Sequence, residues 1–400
     1  MLGGIDELRD EIRAEAAKPF DAAAELRVCA RPRLTGSAGN EQVAATLRTR
    51  FEGLGYQVRD VPFTFSAWPG RYGISVVGIV HVLAALFSGI FLLSGRPVPS
   101  LVVLAAALAA VTAIVAFGGR AVLGLRWGRR PAYNQLVTHE TERPHYLVMA
   151  HRDSKSQLVP LILRWPAIVI MALSWLALLV LSILSLAQPL TGGITFFVAL
   201  LAVLAGTLLA LCWASDDSPG ALDNASGLAT LIGVAERESA RGDVAFLVTD
   251  AEELGLAGAR AMSGQLPPVF GVINVDGLDD TGPFYVLERF GWPPRGTAPH
   301  LALALLSAAT ALDVPTTRRD VPPGILLDHM PIVQAGTAAV TLMRGERSSM
   351  ARVHRPGDDL SRLRGDGVVI GVDLVCAALR LLRRQEPEDT RRVARPAAPG

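Results

Sequence analysis

Seven side chains in this sequence are of the types that bind divalent metals or move protons. They are His151, Asp153, Asp223, Glu252, Glu253, Asp276 and His354. Each alone has an ordinary explanation, such as a helix cap at Asp223 or a solvated loop at Glu252 and Glu253. Four of them, however, follow apolar strand-like runs or begin the helix between two such runs. Because ligands of open α/β sheets collect beyond the carboxyl ends of the strands, we expect these side chains to converge at one edge.

The residue types indicate which ligand such an edge would bind. Two histidines with three carboxylates suit zinc or a similar first-row metal. Asp153 comes two residues after His151 and could accept the imidazole N–H that a metal does not use, which would fix the ring tautomer. A further carboxylate beside the ligands is what a general base requires. The pattern therefore predicts a metal site with a base next to it.

The elements that must position these residues are short strands that alternate with helices. The apolar runs are HYLVMAH, which ends at His151, DVAFLVTD, which leads into the two glutamates, VFGVINVD, which ends at Asp276, and AGTAAVTLMRG. The segment 223–242 has apolar residues at helical spacing, with Gly242 as a stop. This alternation predicts an α/β fold with a mixed, mostly parallel sheet flanked by helices.

Four further stretches are too long and too apolar for ordinary core helices. Half of the 400 residues are hydrophobic and 19% are charged, and the mean hydropathy is +0.36. The stretches span residues 72–93, 98–117, 165–186 and 194–213, and none has a charged residue in its interior. A helix needs about 20 such residues to cross the hydrocarbon core of a lipid bilayer. The short turns SGRPVPS and AQPLTGG join the stretches into two transmembrane helical hairpins.

The two hairpins interrupt one polar domain, because each hairpin returns the chain to the side that it left. The predicted division is 1–71 for the first part of that domain, 72–117 for hairpin one, 118–164 for the part with the strand ending at His151, 165–213 for hairpin two, 214–384 for the catalytic part, and 385–400 for a disordered tail. The tail is rich in Pro, Arg and Ala and has no apolar periodicity.

Charged and cysteine residues predict the compartment. Basic residues near the span ends lie on the side of the N-terminus, whereas the hairpin tips carry only Arg96. We therefore expect a multi-pass protein of the cell membrane whose polar domain is cytoplasmic. The three cysteines are too few for a disulfide framework, and residues 1–27 lack the apolar region of a cleavable signal. The net charge of +1 gives no reason to expect binding to nucleic acid.

Five motifs, taken in order, carry a resemblance to a known family. The runs HRDS, ALDNASG, DAEELGLAGAR, NVDG and VHRPGDDL resemble those of the M28 family of di-zinc metallopeptidases, which are mainly aminopeptidases. Two weaker matches, ARPRLTGSAGNEQVAATLRTRFEGLGYQV and ILLDHMPIVQAGTAAVTL, resemble the opening helix and strand of the family and its DH segment. The likeness covers nearly all of the polar sequence. It implies the di-zinc exopeptidase fold, here with two membrane hairpins inserted.

The resemblance also implies roles for individual residues. The implied metal ligands are His151, Asp223, Glu253, Asp276 and His354. Asp223 would bridge two zinc ions, or two other first-row divalent metals, and Glu252 would be the general base. Independently of the resemblance, Asp153 is predicted to be a catalytic residue that acts by orienting His151. One position departs from the family, since Val353 stands where members often have a tyrosine that binds the substrate carbonyl.

The expected function is that of a membrane-bound di-zinc aminopeptidase, whose partners are a peptide substrate and the lipid bilayer. Two alternatives remain open. A glutaminyl-cyclase-like enzyme would share the fold and several ligands, and Asp328 in the run LDHM would support it. A catalytically inactive membrane scaffold should have lost ligands, and this sequence has lost none. The oligomeric state does not follow from the sequence.

Overall fold

The computed structural model describes residues 10–14, 16, 18–139, 143–188 and 192–385. The chain forms two compact units. The sheet unit comprises Met1–Thr64, Pro131–Lys155 and Asp216–Gly400, and the helical unit comprises Phe65–Arg130 and Ser156–Ser215. The tail that the sequence predicts to be disordered, 385–400, lies outside the described residues except for Gln385, which ends the last helix.

The strands among the described residues belong to one sheet. They are β1 (Gln57–Ser66), β2 (Arg129–Thr138), β3 (Tyr146–His151), β4 (Val244–Thr249), β5 (Gly271–Leu278), β6 (Phe284–Leu287), β7 (Thr316–Arg319) and β8 (Ala339–Arg344). Their order across the sheet is β1-β2-β4-β3-β5-β8-β6-β7. The central strands β4, β3, β5 and β8 are parallel, whereas β2 and β6 pair antiparallel with β4 and β8. The predicted mixed, mostly parallel sheet is confirmed, and its centre consists of the four predicted strands.

The helices occur in both units. In chain order they are α1 (Ala22–Cys29), α2 (Ala38–Gly53), α3 (Trp68–Leu93), α4 (Pro97–Gly124), α5 (Leu161–Leu184), α6 (Gly192–Ala210), α7 (Ser226–Glu238), α8 (Ala257–Met262), α9 (Pro299–Ala311), α10 (His329–Gln334), α11 (Arg347–Met350) and α12 (Asp366–Gln385). A short π-helical turn, Ala221–Ala225, precedes α7. Helices α3 to α6 form the helical unit.

Strand β3 shows how the sheet unit acquires two cores. Side chains of a strand alternate between its faces, so that Tyr146, Val148 and Ala150 pack into one core and Leu147 and Met149 into the other. Helices α1, α2, α7, α9 and α12 cover the first face, and α8 and α10 cover the second. A strand that is buried on both faces must be apolar throughout, which is why this stretch of sequence reads as a continuous apolar run.

The four helices of the helical unit are long and apolar enough to cross a membrane, by length and composition. They extend beyond the stretches that hydropathy selects. Helix α3 begins at Trp68 rather than residue 72, and α4 continues to Gly124 rather than residue 117. Hydropathy marks only the apolar part of a helix, whereas the main-chain hydrogen bonds continue into the flanking residues.

Small residues and hydroxyls join the helices of this unit. Gly78 of α3 and Gly206 of α6 are so close that a Cβ atom added to Gly78 would lie 2.6 Å from the Gly206 carbonyl oxygen. Buried hydroxyls connect three helices: the Oγ of Ser100 lies 2.5 Å from that of Ser88 and 2.7 Å from that of Ser182. Small residues at the interface and hydrogen bonds between hydroxyls are typical of helices that associate in lipid.

Candidate metal centre

Several candidate residues lie at the carboxyl edge of the parallel strands. His151 is the last residue of β3, and Glu252 and Glu253 follow the end of β4. Asp276 lies in β5, which continues beyond it through a bulge instead of ending there as predicted. Gly277 has φ of +68° at this bulge, a conformation that glycine adopts without a steric penalty. Because these strands are parallel, their polar ends share one edge of the sheet.

His151, Asp223 and Asp276 form a first cluster. Nε2 of His151 lies 3.1 Å from Oδ1 of Asp223 and 3.7 Å from Oδ1 of Asp276. One ligand atom from each residue lies within 4.8 Å of the others. The ring of His151 is buried, and no described residue makes a well-aligned hydrogen bond with its Nε2 atom. A buried ring nitrogen that faces two carboxylates without a hydrogen bond fits a cation between them.

Asp223, Glu253 and His354 form a second cluster. Nε2 of His354 lies 3.1 Å from Oδ2 of Asp223 and also 3.1 Å from Oε2 of Glu253. Their ligand atoms likewise lie within 4.8 Å of one another. Asp223 thus directs one carboxylate oxygen to each cluster. The five residues that the resemblance singles out are brought together in two sets that share this aspartate.

The electrostatics of the clusters also fit a cation. Burial lowers the pKa of His151, but the charge of Glu252 and contacts with three aspartates outweigh burial and raise the pKa well above its usual value. Burial raises the pKa of Asp223, but its contacts with His151 and His354 hold the pKa well below the usual range. Buried charges of this density need a compensating partner. The residues present therefore suit divalent metals.

Two neighbouring elements hold Asp223 in place. The carboxylate of Asp358 accepts hydrogen bonds from the main-chain N–H groups of Leu222, at 2.7 Å, and of Asp223, at 3.1 Å. Asn224 donates to the carbonyl of Val275 in β5 at 2.9 Å. The peptide bond between Asp223 and Asn224 is cis. The shared aspartate is therefore tied both to β5 and to the loop that carries His354.

Asp153 contacts His151 differently from the expectation. The main-chain carbonyl of Asp153 lies 3.0 Å from Nδ1 of His151, whereas its carboxylate is 3.6 Å away. The carboxylate instead accepts the main-chain N–H groups of Glu252 and Glu253, both at 3.0 Å. The carboxylate is drawn to these two N–H groups because the turn after β4 leaves them without helical or strand partners. Asp153 thus orients the histidine through its backbone and the two glutamates through its side chain.

Glu252 interacts electrostatically with His151, Asp276 and Glu253 and belongs to neither cluster. Burial and the negative charges of Glu253, Asp328 and Asp276 raise its pKa well above the usual value, against the opposing effect of His151. Asp328, also buried, accepts a hydrogen bond from the hydroxyl of Thr249 at the end of β4. Burial raises the pKa of Asp328 to about 7. Glu252 and Asp328 are therefore buried carboxylates near the ligand clusters that belong to neither of them.

Two residues that contact the site have no role predicted from the sequence. Nζ of Lys155 lies 2.8 Å from Oε2 of Glu253, and Asp358 holds the backbone of Asp223. Both stand in or next to the motifs already quoted, Lys155 directly after HRDS and Asp358 within VHRPGDDL. Their positions were visible, but their contacts depend on how two distant loops fold against the strand ends.

The sheet topology and the paired ligand clusters define an α/β protein with a candidate two-metal site at its carboxyl edge. The sequence profile of Peptidase family M28 matches residues 134–378. The chain belongs to this family of peptidases. A search of curated protein sequences finds no match.

Solved structures of peptidases and cyclases are similar to this chain. The aminopeptidase LapA of Legionella pneumophila has 13% identity and a TM-score of 0.54, with 94% of this chain and 75% of that one covered. A glutaminyl cyclase of Porphyromonas gingivalis has 15% identity and a TM-score of 0.53, with 90% and 97% covered. BSAP, a zinc aminopeptidase from Bacillus subtilis, has 13% identity and a TM-score of 0.53, with 92% and 97% covered. At these identities the likeness establishes the fold.

Proposed function

We propose that this protein is a membrane-bound di-zinc aminopeptidase. The observation that carries the proposal is the shared carboxylate of Asp223, which lies 3.1 Å from a ring nitrogen of each of the two histidines. Membership of peptidase family M28 supports hydrolysis of a peptide bond. The polar segments 1–71, 118–164 and 214–384 would form the peptidase domain, and 72–117 and 165–213 its membrane hairpins.

The five cluster residues would hold the metals. His151 and Asp276 would complete one site, Glu253 and His354 the other, and Asp223 would bridge them. Nitrogen and carboxylate donors suit zinc, and the similar structure from Bacillus subtilis is that of a zinc aminopeptidase. When bound, the two ions would polarise the scissile carbonyl and make an attacking water acidic enough to react at neutral pH.

Glu252 would move the proton in this reaction. Its buried carboxylate lies beside the clusters without belonging to either, so that it is available to accept the proton of the attacking water. It would then pass that proton to the nitrogen of the leaving amine as the C–N bond breaks. Asp153 keeps this arrangement aligned, because one carboxylate binds the main-chain N–H groups of both glutamates.

The test of the proposal is hydrolysis by the purified full-length protein in detergent. Aminoacyl-anilides should be cleaved, their N-acetylated analogues should not, and a chelator should remove the activity, which added zinc should restore. Metal analysis of the same sample should give two zinc ions per chain. Cleavage of the acetylated analogue at an equal rate would contradict the aminopeptidase assignment while leaving a peptidase in place.

The helical unit would anchor the enzyme in the cell membrane, with the peptidase domain on the cytoplasmic side. The length and composition of the four helices support insertion, and the distribution of basic residues supports the orientation. In sealed vesicles whose cytoplasmic face is outward, an added protease should cut a tag placed at the C-terminus. Protection of that tag would contradict the orientation.

A second candidate is a glutaminyl-cyclase-like activity. The similarity to the Porphyromonas gingivalis enzyme covers 97% of that chain, and a second buried carboxylate, Asp328, lies near Glu252. A cyclase would release ammonia from peptides with N-terminal glutamine without cleaving a peptide bond, and would hold one zinc ion per chain. Amino-acid release with two zinc ions favours the aminopeptidase.

A further inference from the structure

Lys155 is a cation in contact with the second cluster. Its Nζ atom lies 2.8 Å from Oε2 of Glu253 and 3.3 Å from the main-chain carbonyl oxygen of the same residue. The same Oε2 atom lies 3.1 Å from the ring of His354. The ammonium group therefore stands one hydrogen-bond length from an atom of the candidate metal site.

The chemistry of the Lys155 side chain distinguishes it from the arginines of the chain. Of the 38 basic residues of the chain, only Lys18 and Lys155 are lysines. The side chain of Lys155 is 16% exposed, so its charge acts in surroundings that screen it less than bulk water. An ammonium is a compact charge with three donors on a flexible stem. Its three donors can contact more than one oxygen at a time, as the two contacts of Nζ with Glu253 show.

Hydrolysis of a peptide bond creates a need for such a donor. When the oxygen of water adds to the carbonyl carbon, an electron pair of the C=O bond moves to the carbonyl oxygen, which becomes negative. The electron pair returns to re-form the C=O bond when the C–N bond breaks and the amine leaves with a proton. Donors aimed at that oxygen stabilise the transition state. Val353, which precedes His354 in the chain, has an aliphatic side chain and cannot donate such a hydrogen bond.

We infer that Lys155 donates a hydrogen bond to the substrate carbonyl oxygen as negative charge develops on it, and keeps its own proton throughout. The inference rests on the proposed peptidase function and adds a catalytic residue to it. A carbonyl oxygen held at the second cluster would lie close to Nζ, because Nζ is 2.8 Å from Oε2 of Glu253, one of the ligand atoms of that cluster.

The experiment compares three variants of the full-length protein with the wild type. Lys155→Met removes the charge and keeps the stem, Lys155→Arg keeps a charge, and Lys18→Met changes the other lysine, which is exposed. The measurements are kcat and KM for an aminoacyl-anilide, zinc per chain, and the inhibition constant of an aminoalkylphosphonate peptide analogue, whose tetrahedral anion resembles the transition state.

Lys155→Met should lower kcat by about 10²-fold and weaken phosphonate inhibition by a similar factor, with KM and zinc content unchanged. Lys155→Arg should recover part of both, and Lys18→Met should match the wild type. An unchanged or higher kcat for Lys155→Met overturns the inference, and so does a loss of zinc, which would show that Lys155 only holds Glu253. If Lys155→Met is unstable, Lys155→Gln gives the same comparison.

The activity of the wild type separates the role of Lys155 from the proposed peptidase function. An active wild type with an equally active Lys155→Met overturns this inference and leaves the peptidase proposal standing. A wild type that carries two zinc ions but cleaves no peptide overturns both.

Discussion

The sheet unit and the helical unit both bury polar side chains, but the two sets differ in charge. At the edge of the sheet the buried groups include His151 and several carboxylates. Between the helices they include hydroxyls such as that of Ser100, and the segments α3 to α6 contain no aspartate or glutamate. Hydroxyls satisfy one another, whereas buried carboxylates cost several kcal/mol unless a cation compensates them. The hydroxyls between the helices therefore indicate helix packing, and the carboxylates at the edge of the sheet indicate a ligand.

This contrast predicts that changes in the sheet unit remove chemistry and that changes in the helical unit alter stability. Asp223→Ala tests it most severely, because this carboxylate belongs to both clusters. Zinc content should fall to near zero and kcat/KM by more than about 10⁴-fold, since the contributions of metal and base are lost together. Asp320→Ala, at an exposed ion pair with Arg289, is the control. Two zinc ions retained by Asp223→Ala would contradict the shared-ligand geometry.

Glu252→Gln should separate chemistry from metal binding. The amide cannot accept the proton of water, so kcat should fall by about 10²- to 10⁴-fold, while zinc content stays at the wild-type value because Glu252 belongs to neither cluster. Enzyme kinetics and metal analysis on one sample provide the measurement. Glu236→Gln on the exposed side of α7 should have no effect. A fully active Glu252→Gln would exclude this residue as the base.

Asp358→Asn should have an intermediate effect, because it acts on a ligand through the backbone. The two carboxylate oxygens of Asp358 accept one N–H group each, from Leu222 and from Asp223. The asparagine amide has only one oxygen, so its NH2 group would face the second N–H group and could not accept from it. Zinc affinity, measured by competition with a metal-binding dye, should weaken by about 10- to 100-fold. Asp359→Asn at the neighbouring, less buried position should bind zinc as the wild type does. Equal affinities for both variants would show that this contact does not position Asp223.

Ser100→Ala should have the smallest effect. It removes the central hydroxyl of the Ser88–Ser100–Ser182 series, and hydroxyl bonds between membrane helices contribute about 0.6 kcal/mol on average. The thermal unfolding midpoint in detergent should fall slightly, and kcat should not change. Ser94→Ala at the exposed end of α3 is the control. A large loss of kcat in Ser100→Ala would break the separation of roles between the two units.

The central strands could be predicted because burial on both faces requires a continuous apolar run, as in β3. Strand β7 could not, since its residues Thr316–Arg319 are polar and mostly exposed at the edge of the sheet. Edge strands of this kind carry charges that discourage pairing with other chains. Their sequences therefore show no burial pattern by which to recognise them.

The candidate ligands could be predicted from residue type and position after strands, but their partners could not. Which atom of Asp153 faces His151 depends on the turn after β4, a loop about 100 residues away whose N–H groups attract the carboxylate. The contact of Lys155 with Glu253 depends on the same turn. Local sequence determines which groups are available, and tertiary structure determines which of them meet.

The order of the ligands along the chain has a consequence for biosynthesis. His151 precedes helices α5 and α6, and Asp223 follows them. During synthesis the histidine leaves the ribosome first, and the shared aspartate emerges only after both apolar helices have been made. The metal site cannot be complete until the second hairpin has been synthesised. Under the proposed function, zinc acquisition would therefore be a late step in maturation, and a chain whose synthesis stopped within these helices would lack Asp223 and could not complete the metal site.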